Sequence, residues 1–171
     1  MTVLFVAHLG IMTFSMFTGW YDFKICNIVG YAALGLICVH AFCSVIVLFF
    51  LHDGAALDQS PSENFQTILQ RASAIALLIL IHPHMVNYEF MGTGELLSNS
   101  EVIFRIVLEL LFLITVVIHV STSFSKSFVS LGLASSQRAV DRLNFAAYLF
   151  CTIGLIVCGF AILSFWTGFL A

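Results

Sequence analysis

Residues 102–124, VIFRIVLELLFLITVVIHVSTSF, form an apolar run that holds His119 and Glu109 well inside it. About 20 apolar residues are enough for a helix to cross the hydrocarbon core of a membrane, which is about 30 Å thick. The run therefore predicts a transmembrane helix. A histidine at membrane depth is costly unless another group satisfies it, and for His119 taken alone a bond to a backbone carbonyl of the next helix is an equally good explanation.

Four further apolar runs have a comparable length. They cover residues 2–19, 27–51, 66–90 and 145–169. The chain of 171 residues is 61% hydrophobic and only 9% charged, whereas a soluble domain carries about 25% charged residues. The sequence therefore predicts an all-α integral membrane bundle of five transmembrane helices, with residues 1–171 in a single domain. Six basic residues in total leave no basic surface for nucleic acid.

The links between the runs are polar, and their charges predict the orientation of the bundle. The links cover residues 52–65, 91–101 and 125–144. Four basic residues lie in or near the links on the side of the N-terminus: Arg71, Lys126, Arg138 and Arg142. The opposite side has two, Lys24 and Arg105, beside several acidic residues. Because basic residues concentrate on the cytoplasmic side, we expect the N-terminus on the cytoplasmic or matrix face.

Four of the six histidines lie in four different apolar runs. They are His8, His40, His84 and His119. Imidazoles that face each other across a helix bundle suit a b-type haem, because its iron takes two axial nitrogen ligands. Four such residues suffice for two haems, and we predict that they ligate haem iron.

The other two histidines have simpler explanations. His52 lies at a helix end beside Asp53, where it reaches water. His82 and His84 point about 200° apart on a helix, so only one of them faces a given haem. Two alternatives to haem stay open for the four buried histidines, a proton relay and a metal site in a transporter. A relay usually needs acidic partners at membrane depth, and Glu109 is the one acidic residue well inside a run.

Short motifs on these runs resemble one protein family. The segment 70–74, Gln-Arg-Ala-Ser-Ala, followed by His84, looks like a Gln-Arg-x-Ser-Gly segment with a histidine thirteen residues after the arginine. Residues 4–8 and 37–42 are similar to the segments of the first two ligands, and His119 with Gly132 is similar to the fourth helix. The family is the cytochrome b membrane anchor of succinate dehydrogenase and fumarate reductase, in its five-helix, two-haem form. The resemblance covers all five helices.

The resemblance implies a pairing of the haem ligands. His40 and His119 would ligate the haem nearer the cytoplasm, and His8 and His84 the haem nearer the outside. The depth along each helix agrees for His84 and His119. His8 is only seven residues from the start, which places it shallow unless the first helix begins below the membrane surface or is tilted. Otherwise His8 pairs with His119 or ligates nothing, so two haems b are expected, or one.

The resemblance also implies quinone as the lipid-phase substrate. Arg71 and Ser73 match residues that line the quinone pocket in single-haem relatives. Holding a haem propionate and reaching the headgroups are alternative roles for Arg71. In two-haem relatives the pocket is at the outer side, where three charged residues are available: Asp22, Lys24 and Glu89. We therefore expect either location for the quinone site.

One glutamate of the two-haem fumarate reductases is replaced in this chain. They carry it two residues before the histidine of the fourth helix, where it is assigned to a proton path, and Val117 occupies that position here. A proton path of that form is therefore in doubt. Glu109, about two turns earlier, is an alternative for a related purpose.

By resemblance, the chain is the non-flavin membrane subunit of a succinate:quinone oxidoreductase. No GxGxxG motif and no cysteine cluster occur in the sequence, so flavin and iron–sulfur clusters would be carried by a flavoprotein subunit and an iron–sulfur subunit docked on the inner face. Two alternatives stay open, a cytochrome b anchor of another quinone-linked membrane oxidoreductase and a haem-free membrane anchor or transporter. No transit peptide is recognisable, which favours a bacterial inner membrane over a mitochondrial one.

Overall fold

The computed structural model describes residues 2–20, 22–46, 61–88 and 97–170, and these residues form five helices and no strand. In chain order the helices are α1 (Thr2–Thr18), α2 (Phe23–Ile46), α3 (Pro61–Val86), α4 (Asn99–Ser130) and α5 (Gln137–Thr167). Helices α2 to α5 are each long and apolar enough to cross a membrane, and α1 is a shorter apolar helix. The chain is an all-α integral membrane protein, which confirms the fold class predicted from the sequence.

The helices belong to two compact units. The first unit, Met1–Ser60, contains α1 packed against α2. The second unit, Pro61–Ala171, contains α3, α4 and α5, and α4 packs against both of the other helices. The single domain over residues 1–171 stays a prediction.

The first unit is a helical hairpin whose turn is defined by two residues. Gly19 ends α1 with φ 67°, the left-handed conformation that glycine adopts readily after a helix. Asp22 begins α2, because its Oδ1 accepts a hydrogen bond from the backbone N–H of Ile25 at 3.0 Å, as an N-cap residue does. The cap explains why α2 begins at Phe23, four residues before the apolar run.

In the second unit, α3 and α4 run antiparallel with a constant register. Near the start of α3, Thr67 meets Lys126 close to the end of α4. At the other end of the pair, His84 of α3 meets Glu109 of α4. Pro61 stands at the first position of α3, where its missing N–H costs nothing. This register aligns the polar residues of the two helices in pairs.

The polar links are shorter than the sequence predicts, because the helices extend into them. Ser98 and Glu101 form a capping box that begins α4 inside the predicted link 91–101. The predicted link 125–144 contracts to residues 131–136, since α4 continues to Ser130 and Ser136 caps α5. Three basic residues assigned to that link therefore lie on helices: Lys126 on α4, and Arg138 and Arg142 on α5. Capping allows polar residues to occupy helix ends that an apolar run does not include.

Candidate functional site

A buried carboxylate lies between α3 and α4. Glu109 is only 2% exposed, and both of its oxygens accept hydrogen bonds across the helix interface. Its Oε2 lies 2.8 Å from Nδ1 of His84, and its Oε1 accepts a bond from Nδ2 of Asn87 at 2.8 Å. A buried polar group of this kind is stable only when it is satisfied, so His84 of α3 and Asn87, which directly follows α3, make the burial of Glu109 possible.

Arg105 of α4 completes this group, which we call the Glu109 cluster (His84, Asn87, Arg105, Glu109). Its Nη1 donates to the backbone oxygen of Asn87 at 2.6 Å. The guanidinium also lies 5.7 Å from the ring centroid of Trp166 on α5, a distance typical of a cation–π contact. Trp166 is fully buried at 0% exposure, so α5 covers the cluster on that side.

The imidazole of His84 is fixed by aromatic rings as well as by Glu109. It stacks on Phe112 with centroids 4.3 Å apart, and it meets Tyr88 edge to face at 5.6 Å. Its side chain is 19% exposed. In the neutral tautomer that donates from Nδ1 to the Glu109 carboxylate, the lone pair of the imidazole is on Nε2.

A second group of polar residues lies farther along the same interface. We call it the Ser73 cluster (Thr67, Gln70, Ser73, His119, Lys126). Nδ1 of His119 lies 3.3 Å from the backbone oxygen of Gln70 and 3.3 Å from Oγ of the buried Ser73. Because a carbonyl oxygen only accepts, Nδ1 carries the proton here too. Lys126 donates to Thr67 at 3.1 Å and to the Gln70 side chain at 3.2 Å.

The two clusters lie at separate levels along the helices. Ten residues of α4 separate Glu109 from His119, which at 1.5 Å per residue is about 15 Å. Glu109 itself is ten residues after the start of α4, and His119 is eleven residues before its end. Both levels therefore lie well inside a helix that is about 48 Å long, rather than at its ends.

The hairpin of the first unit also carries its two histidines at separate levels. Cε1 of His8 lies 3.8 Å from the position that a Cβ on Gly30 would take, so His8 is opposite Gly30 of α2. His40 follows ten residues later on the same helix and is exposed, about 15 Å along the axis. His8 is the seventh residue of α1, and its depth in the membrane stays a prediction.

The remaining predicted residues are placed as follows. Ser73 is buried against His119, and Arg71 is half-buried two residues away on α3. His82 is exposed while His84 is half-buried, in agreement with their opposite directions on a helix. Asp22 serves as the cap of α2. Two residues fall outside the described ranges: His52 and Glu89.

Each half-buried histidine of α3 and α4 suits an axial ligand of haem iron. Ligating histidines generally hold their second ring N–H against a carboxylate or a backbone carbonyl, which fixes the tautomer and the ring orientation. His84 has a carboxylate and His119 has a carbonyl in that position. Within the described ranges, no group of three or more His, Cys, Asp or Glu side chains is arranged to hold a bare metal ion.

Five residues of the clusters were not predicted from the sequence as parts of a site. Three of them received no role (Thr67, Gln70, Asn87), and two were counted only among the loop charges (Arg105, Lys126). A signal for the Glu109 cluster exists, because Asn87 and Arg105 stand equally far from the middle of link 91–101, as partners in an antiparallel pair do.

The sequence matches no protein-family model, and no curated protein or solved structure is significantly similar to it.

Proposed function

We propose that the chain is a haem-binding membrane subunit that passes electrons between a partner protein and membrane quinone. The form that the sequence motifs favour is the cytochrome b anchor of a succinate:quinone oxidoreductase. The observation that carries the proposal is the contact that Nδ1 makes in each of two histidines on neighbouring helices. In both His84 and His119, Nδ1 lies against an oxygen atom of the neighbouring helix, the arrangement that ligating histidines generally have.

The spacing of the histidines supports two haems rather than one. Within the second unit, the levels of His84 and His119 are about 15 Å apart along α4. Within the first unit, the levels of His8 and His40 differ by the same ten residues of helix. Each unit therefore has two histidines about 15 Å apart along its own helices. The pairing of His40 with His119, and of His8 with His84, stays a prediction.

Haem, if bound by these histidines, would supply a one-electron carrier. The residues of the chain hold and orient that group. Ser73 and Gln70 position His119, which gives Ser73 a role other than lining a quinone pocket. Arg71, two residues away, remains our candidate for a quinone carbonyl or a haem propionate.

The soluble partners would dock where basic residues meet the aqueous phase. Arg138 and Arg142 are both exposed on the first turns of α5, one helical turn apart. An acidic surface on an iron–sulfur subunit would complement them, and a flavoprotein subunit would bind to that subunit in turn. Reversal of both charges to glutamate should loosen the attachment of the soluble subunits, and unchanged subunit stoichiometry on native gels would contradict this part of the proposal.

The function is tested by optical spectroscopy of the purified full-length chain. We expect a reduced-minus-oxidised spectrum of low-spin b-type haem that carbon monoxide does not change, together with reduction of the haem by a short-chain quinol. Well-folded protein without haem would overturn the proposal. Haem that quinol cannot reduce would overturn its quinone-linked part. Co-purifying subunits then distinguish a succinate:quinone oxidoreductase from another quinone-linked complex.

A second candidate function is proton transfer within a haem-free membrane protein. The hydrogen bond between Glu109 and His84 favours it, because ionisable pairs at membrane depth are typical of proton relays. A colourless protein that acidifies or alkalises vesicles, and that loses this ability in the Glu109→Gln variant, would establish this candidate. Haem in the wild-type protein favours the first proposal instead.

A further inference from the structure

Glu109 is a charged residue with only 2% of its surface exposed, and it is bonded to His84. Its two oxygens bond two different residues, His84 near the end of α3 and Asn87 directly after it, so the carboxylate has one defined position. Asn87 is itself held by the Arg105 side chain at its backbone oxygen and by its own N–H, which donates to the Pro83 oxygen at 3.0 Å. The position of the Glu109 carboxylate therefore depends on Asn87 and Arg105 as well as on its bond with His84.

A fixed carboxylate at Nδ1 changes the histidine as an iron ligand in two ways. It restrains rotation of the ring and so selects one orientation of Nε2. The carboxylate also makes the imidazole a stronger electron-pair donor to iron. The negative charge of the carboxylate favours the oxidised, more positive iron over the reduced iron. In a medium of low dielectric constant both effects are larger than in water.

His119 provides an internal contrast. Its Nδ1 meets the carbonyl of Gln70 and the hydroxyl of Ser73, which are neutral groups, at 3.3 Å each. The contact of His84 is shorter, 2.8 Å, and it is made to a carboxylate oxygen. Hydrogen bonds to an ionised partner are shorter and about twice as strong as neutral ones. The two histidines therefore differ in donor strength although they lie on the same helix pair.

We propose that Glu109 is a positioning residue for His84, which orients the imidazole and lowers the reduction potential of the haem that His84 ligates. This inference rests on the proposed function, since it requires haem at His84. The sequence motifs that suggested the haem ligands did not include Glu109 in this role. The inference concerns the carboxylate only and leaves the choice of the second ligand open.

The test is a redox titration of the full-length chain with Glu109→Gln, followed optically and by electron paramagnetic resonance. Glutamine keeps the size and an acceptor oxygen but removes the charge. We expect unchanged haem content and a more positive potential for one haem, with the equilibrium constant for its one-electron reduction raised about tenfold, or about 59 mV. The low-spin signal of the same haem should also shift, because the ligand has become a weaker donor.

Two further variants make the result specific. Glu101→Gln removes the same charge from the exposed first turn of α4 and should leave both potentials unchanged. Glu109→Asp keeps the charge one methylene farther from His84, so its potential should fall between those of wild type and Glu109→Gln. If glutamine prevents folding, the aspartate variant alone decides, and an unshifted potential in it overturns the inference.

The possible outcomes separate the inference from the function on which it rests. Wild-type protein without haem overturns both. Haem in wild type and in Glu109→Gln with identical potentials and signals overturns the inference and leaves the function standing. A shift of equal size in Glu101→Gln also overturns it, because the effect would then be one of net charge. A shift confined to the haem that His84→Ala removes supports it.

Discussion

The Glu109 cluster and the Ser73 cluster lie on the same two helices, about 15 Å apart, and they hold their histidines by different means. At the first cluster, a charged acceptor, an asparagine and an arginine form a network that Trp166 of α5 covers. At the second cluster, a backbone carbonyl and a serine hydroxyl suffice. The difference shows that one helix pair can hold one histidine against a carboxylate and another against neutral groups, with unequal cost of burial.

The two clusters should contribute unequally to folding stability. Removal of one member of a buried network around a carboxylate strongly lowers the free energy of unfolding, because the remaining groups are then buried without partners. A neutral contact to a backbone carbonyl loses little when a nearby hydroxyl is removed. We therefore expect stability to depend strongly on the Glu109 cluster and weakly on the Ser73 cluster.

The largest effect is expected from Trp166→Ala, which opens the cover of the Glu109 cluster. The substitution leaves a cavity beside Tyr88 and removes the cation–π contact with Arg105, and a change of this kind costs about 3–5 kcal/mol. The free energy of unfolding in mild detergent measures it. Trp20→Ala is the matched control, since Trp20 is 51% exposed and its loss should cost less than about 0.5 kcal/mol. Equal losses of stability in the two variants would contradict the stabilisation of the Glu109 cluster by Trp166.

A smaller loss, about 1–3 kcal/mol, is expected from Glu109→Ala. It leaves His84 without its carboxylate acceptor and Asn87 without the oxygen to which its side chain donates, and unsatisfied buried groups cost about that much. The same unfolding measurement applies. Glu109→Gln, which keeps an acceptor of the same size, should retain most of the stability. A fully stable alanine variant would show that the network contributes nothing to folding.

The smallest effect is expected from Ser73→Ala at the other cluster. Its hydroxyl contact with His119 crosses between helices, and such bonds in membrane proteins contribute about 0.6 kcal/mol on average. Ser121→Ala is a matched control, because Ser121 bonds only within α4 in the described contacts. A loss as large as that of Glu109→Ala would remove the distinction between the two clusters.

The fold could be predicted largely from the sequence, because the dominant signal is the length of apolar runs. Each of the five runs corresponds to a helix. The helix ends could not be predicted in the same way, since Ser98 and Ser136 cap helices that begin in polar sequence. The end of the second run, beyond residue 46, lies outside the described residues.

The candidate site was only partly accessible from the sequence. The burial of His84, His119 and Glu109 follows from their positions in apolar runs. The bond between His84 and Glu109 does not, because it depends on the register of α3 against α4. Link length alone leaves that register uncertain by several residues. The acceptor of His119 is a backbone carbonyl, which no sequence pattern reports.

The measurement that tests the central claim most directly is the number of haems per polypeptide in the purified full-length chain. We predict two in the wild type, a decrease toward one in His84→Ala and likewise in His119→Ala, and none in the double variant. His82→Ala, which removes an exposed histidine beside the predicted ligand, should keep both haems. Wild-type protein that is folded and free of haem, or haem content that neither ligand variant reduces, would contradict the account.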